Sequence, residues 1–241
     1  TAVPPHLSPV PLLRGDSAVC DDWLRTDTLV RAGVCIGIIC VGCGLYGFSI
    51  GIWRAAEMAL YVAIKFPLLI LLTLVVNGLI NGLLAQVMGV RLSIAQTVQC
   101  QLISYLVFAL VVGSLSPIVI AMSLSAPDAA YILDDHEDYL RAAAAHRTLL
   151  LTHVVVIAWA GILSTTRLYR TLRAVTRSRP LALRTLFSWL GGNLFVGAQL
   201  AWILRPFFGS PHLSIAFLRP DALDGNFYQR IYRMLELSLG L

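Results

Sequence analysis

Residues 32–53 read AGVCIGIICVGCGLYGFSIGIW, 22 consecutive positions without a charged side chain. A helix needs about 20 largely apolar residues to cross the hydrocarbon core of a bilayer. Four more charge-free runs lie beyond it, of 25 residues at 66–90, 36 at 92–127, 19 at 148–166 and 20 at 185–204. Only helices and closed barrels satisfy their backbone groups in lipid, and these runs are too long and too uniformly apolar for barrel strands. The pattern predicts an all-α, polytopic membrane protein with five transmembrane helices.

Composition agrees. Of 241 residues, 58% are hydrophobic and 13% charged, which suits one membrane domain with short connections. Three regions are expected: an N-terminal tail at 1–30, a five-helix membrane domain at 31–205 and a C-terminal tail at 206–241. Prolines 4, 5, 9 and 11 keep the first tail extended, and Thr26 or Asp27 is placed to cap the first helix. The chain begins at Thr1, and its first 22 residues hold no secretory hydrophobic core; organellar import followed by cleavage is the expectation this raises.

Charge sets an expected orientation. Arg167, Arg170, Arg173, Arg177, Arg179 and Arg184 occupy a stretch without an acid, while Asp128, Asp134, Asp135, Glu137 and Asp138 occupy one without a base. One span separates them, so they face opposite sides. The positive-inside rule puts the arginines, and with them the N-terminus, on the cytoplasmic, stromal or matrix side. The arginine stretch reads as a topology signal that touches anionic headgroups, not as a nucleic-acid patch. An organellar inner or thylakoid membrane is the favoured location, with a bacterial inner membrane as the alternative.

Within the runs, helix 1 is expected over 32–53, with Gly33/Gly37 and Gly47/Gly51 as small-residue packing pairs. Residues 54–66 predict a separate interfacial amphipathic helix that holds Tyr61 and Lys65 at headgroup level. Helix 2, over 67–88, carries Asn77-Gly78 and Asn81-Gly82, with both asparagines one turn apart on one face. An amide in hydrocarbon needs a partner, so this face is expected to meet a neighbouring helix or a cofactor. Helix 3 lies within 95–124, polar at its start and kinked near Ser114, Ser116 and Pro117. An acidic loop at 125–147, helix 4 at 148–166 and helix 5 at 185–204 complete the domain. The aromatic tail after 205 is expected to be ordered, with 226–239 as an amphipathic helix.

No carboxylate falls inside a span, which argues against ion-coupled transport. Cys35, Cys40 and Cys43 share helix 1 without a nearby histidine and read as packed thiols, not metal ligands. Ser114 and Ser116 read as helix-bonded hydroxyls, with His153 the one candidate base for a hydrolase. His153 is also the candidate ligand for a chlorophyll magnesium, and no facing span carries a second histidine for a haem pair. The candidate binding residues are therefore His153, Asn77 and Asn81, with chlorophyll, carotenoid or structural lipid as the groups they would touch.

Residues 45–74 (LYGFSIGIWRAAEMALYVAIKFPLLILLTL) and the NGLING turn after them resemble bacterial membrane proteins grouped with the Yip (Ypt-interacting) family. The resemblance implies five spans with a cytosolic N-terminus and a membrane-shaping or GTPase-recruiting role. The family's Asp-Leu-Tyr-Gly-Pro signature is replaced here by Gly44-Leu45-Tyr46-Gly47-Phe48. Without an active-site set, the leading expectation is a non-catalytic accessory subunit of a larger energy-transducing membrane complex, a photosystem or a respiratory complex. Other subunits would dock through the Gly-rich face of helix 1 and the Asn–Gly face of helix 2. The alternatives are the Yip-like role and a small-molecule transporter.

Overall fold

A computed structural model describes residues 29–127, 136–209, 214–230, 232 and 236. The expectations for the N-terminal tail and for Asp128, Asp134 and Asp135 fall outside these residues. Among the described residues the regular structure is helical: α1 Leu29–Gly51, α2 Ala56–Val87, α3 Ile94–Ser125, α4 His136–Thr176 and α5 Arg179–Ile203. All five are long and apolar enough to cross a membrane. The chain is a polytopic helical membrane protein.

Two boundaries differ from the sequence reading. The interfacial helix expected at 54–66 is not a separate element. It runs straight into helix 2 as the 32-residue α2, with Pro67 inside it. Proline is tolerated within a membrane helix because packed neighbours restore what its missing N–H removes, and Phe66 and Pro67 are both buried. The acidic loop at 125–147 is likewise shorter than expected, because α4 begins at His136 and extends 41 residues. At 1.5 Å per residue that is about 60 Å, roughly twice the hydrocarbon thickness. The ends of α4 therefore project beyond the core on both sides, and Arg170 and Arg173 lie toward one of them.

The polar start of α3 is a capping box. Ser93 Oγ accepts from the Gln96 N–H at 3.1 Å, and the Ser93 N–H donates to Gln96 Oε1 at 3.0 Å. Further along, Pro117 cannot donate to the carbonyl of Gly113. The Ser116 hydroxyl does so instead, at 2.6 Å, from a side chain that is itself buried. Ser116→Ala is expected to cost about 1–3 kcal/mol by stranding that acceptor, and a lowered melting temperature of the purified protein in detergent checks it.

The helices associate in a fixed order. α2 packs on α3, α3 on α4, α4 on α5 and α5 back on α2, closing a four-helix ring. α1 lies outside this ring against α2 and α3. Apolar side chains gain little from one another over lipid, so close backbone approach and interhelical hydrogen bonds carry the association. A Cβ added to Gly42 would strike the Ala109 carbonyl of α3, and one on Gly47 the Val62 carbonyl of α2. At Gly51 the nearest α2 backbone atom would lie at 2.6 Å. Gly47 and Gly51 thus pack inside the chain as a pair. Gly33 and Gly37, by contrast, have nothing within 4 Å and face outward. Ser104 and Ser164 join α3 to α4 reciprocally, each hydroxyl donating to the other residue's carbonyl at 3.0 and 2.9 Å.

At the end of the bundle away from the arginine turn, the chain after α5 folds back. Lys65 of α2 donates from Nζ to the Pro206 carbonyl at 3.0 Å and lies over the Phe217 ring, 5.0 Å from its centroid. It has no exposed surface. The expected headgroup-level lysine is in fact roofed by the C-terminal segment. Tyr61 keeps its place at this end, donating to Glu57 at 2.7 Å. Arg205 pairs with Asp221 at 2.7 Å, and that hydrogen bond holds the Asp221 carboxyl below the usual carboxylate range. Among the described residues of the tail a helical segment begins at Phe227, whose N–H donates to Gln199 of α5 at 3.1 Å.

Candidate functional site

Asn77 and Asn81 have no exposed surface. One helical turn apart on α2, they meet α5 where its sequence runs Gly191-Gly192-Asn193, near its midpoint. Asn81 Nδ2 donates to Asn193 Oδ1 at 3.2 Å. A Cβ on Gly192 would stand 3.3 Å from Asn77 Oδ1 and 3.5 Å from Asn81 Oδ1. Glycine at this point leaves α5 close to both amides, and any larger residue would press on Asn77. On the adjacent face of α2, Gly78 and Gly82 admit Val98 and Ile94 of α3, at 2.8 and 3.0 Å from the added Cβ.

The Asn–Gly face of α2 is therefore covered by the chain's own α3 and α5. Its expected use as a docking face for other subunits is corrected by this: the face is spent within the fold. The pairing still leaves amide groups unmet. Both polar atoms of Asn77 and Oδ1 of Asn81 have no hydrogen-bond partner among the described residues.

His153 sits elsewhere. Its Nδ1 is 3.0 Å from the Tyr46 hydroxyl of α1, with either partner able to donate according to the imidazole tautomer. Tyr46 in turn packs on Phe66 of α2, at 5.8 Å between ring centroids. Eleven residues separate Phe66 from Asn77, about 16 Å along the helix. The structure thus brings the two asparagines together and keeps His153 apart from them. His153 Nε2 has no partner, but the ring is 3% exposed and Phe208 lies edge-on at 5.3 Å. A macrocycle would need open space beside that nitrogen, which the buried ring does not offer. Phe208 also contacts His146, at 5.0 Å, and Trp53, at 6.3 Å. Trp53 donates to the Pro127 carbonyl at 3.0 Å.

Ser114 and Ser116 donate to carbonyls three residues back on α3, and His153 is engaged by Tyr46. Cys35 and Cys43 are buried in the core while Cys40 is exposed. Among the described residues no group of three or more His, Cys, Asp or Glu is placed to hold a metal.

Sequence reasoning missed the partners Tyr46, Gly192 and Asn193. The Gly-Gly-Asn interruption in the middle of an otherwise apolar helix was the available signal, by the same logic that singled out Asn77 and Asn81. Comparison with family models, with curated proteins and with solved structures finds no match for this chain.

Proposed function

We propose that the protein is a non-catalytic structural subunit of a larger membrane complex, of the energy-transducing class to which photosystems and respiratory complexes belong. The observation that carries this reading is the uneven cover of the helices. In the most apolar stretch of α1, α2 and α3, between 39% and 44% of residues are buried within the chain; in α4 the share is 22% and in α5 only 11%. α5 is also the least apolar span, and it leaves Ser188, Asn193 and Gln199 half-buried on its sides, with only one acceptor each of Asn193 and Gln199 engaged by the chain itself. Lipid offers such groups nothing, whereas a neighbouring helix can. The outward Gly33 and Gly37 of α1 give a second small-residue face for close approach. The protein's task is then to hold adjoining subunits and intervening lipids or pigments in register.

Mild extraction of the native membrane, followed by native electrophoresis, mass spectrometry and an absorption spectrum of the band, tests the proposal. Co-migration with a large pigmented or redox-active assembly is the expected result. Migration alone, or as a small colourless oligomer, would sink it.

A further inference from the structure

Beyond Asn77 and Asn81, three more buried side chains on the helices of the ring carry unmet polar atoms. Gln101 of α3 has neither amide atom paired, and Thr97 Oγ1 and Trp189 Nε1 also have no partner among the described residues. All five side chains are at most 1% exposed. They come from α2, α3 and α5, three of the four helices of the closed ring.

Their depths agree. Gly78 meets Val98 and Gly82 meets Ile94, which sets Thr97 and Gln101 on either side of the level of Asn77. Asn193 meets Asn81, which sets Trp189 one turn toward the arginine end. By these pairings the seven unmet atoms fall within about 15 Å along the bundle axis. In a soluble core such a group is rare, and in lipid it is costlier still, because the surroundings supply no water.

We infer that the α2–α5 ring contains a binding site for a small neutral molecule that both donates and accepts hydrogen bonds, as an amide does. Asn77 and Gln101 each present one donor and one acceptor, Asn81 an acceptor and Trp189 a donor. A divalent cation would require carboxylates, and none is among these groups. An anion would require a cation, and Arg167, buried on α4, already has an interaction within the fold. A purely apolar occupant would leave all seven atoms unmet. The inference is independent of the scaffold reading, since a structural subunit and a free-standing protein could each carry the site.

Acetamide is a suitable probe. With the full chain in lipid nanodiscs, saturation-transfer NMR is expected to show transfer from protein to acetamide. Asn77→Leu and, separately, Gln101→Leu should reduce that signal to the level of empty nanodiscs. Melting temperature supplies the second readout. If these amides are kept for a ligand, leucine in their place leaves the ligand-free protein as stable or more stable. A wild-type signal no greater than that of empty nanodiscs would overturn the inference, leaving the amides to water alone. So would a signal that survives in both variants. Lowered melting temperatures in both variants without any acetamide signal would mark the amides as structural and overturn it equally.

Discussion

Alanine at Gly42 and Gly47 together is expected to unfold the helical domain or to lower its melting temperature sharply. The reason is what the new methyl groups would meet. At Gly42 the Ala109 carbonyl carbon would lie at 2.9 Å and its oxygen closer; at Gly47 the Val62 carbonyl stands in the same relation. These are backbone atoms of packed helices, so no rotamer change relieves the clash. Overpacking of this kind costs about 1–3 kcal/mol per site, against a total stability on the order of 5–15 kcal/mol. Gly33 and Gly37 are the matched controls, because an added Cβ there meets nothing within 4 Å. Alanine at those positions should be neutral or stabilising by about 0.5–1 kcal/mol through its better helix propensity. Size-exclusion chromatography after a temperature series checks both pairs, and equal melting of the two double variants would refute the packing described.

Tyr46→Phe should produce the second large effect. The hydroxyl it removes is the partner of His153 Nδ1, in a pair whose members are 0% and 3% exposed. Leaving a buried imidazole nitrogen unmet costs about 1–3 kcal/mol. Replacing both residues with phenylalanine removes the polar pair altogether and should cost less than the sum of the two single changes. A coupling energy of about 0.5–3 kcal/mol from the double-mutant cycle is the expected outcome. Strict additivity would mean that the two side chains do not interact in the folded protein.

The helical periodicity of the asparagines and the charge-free runs were legible because they are local properties. A 20-residue apolar stretch has to be helical in lipid whatever surrounds it, and residues four apart share a face by geometry alone. The candidate site was legible only in part. Asn77 and Asn81 stood out because an amide is costly in hydrocarbon, but the α5 partner of Asn81 lies 112 positions away from it in the chain. Lys65 illustrates the opposite case. A lysine near a helix end ordinarily extends to the interface. Here Pro206 and Phe217, more than 140 residues downstream, cover it instead. Pro67 misplaced a boundary for a related reason: proline marks a helix start by local chemistry, and the buried packing around it decides whether the helix continues.

Span number and helical class are determined by the sequence itself, since transfer of each segment into lipid depends on that segment's own side chains. Which glycines lie against a neighbour, which helix closes the ring and which amides remain unmet were decided only in the tertiary structure. Those outcomes depend on small differences in backbone approach between helices, and lipid supplies no hydrophobic force to dictate them from composition.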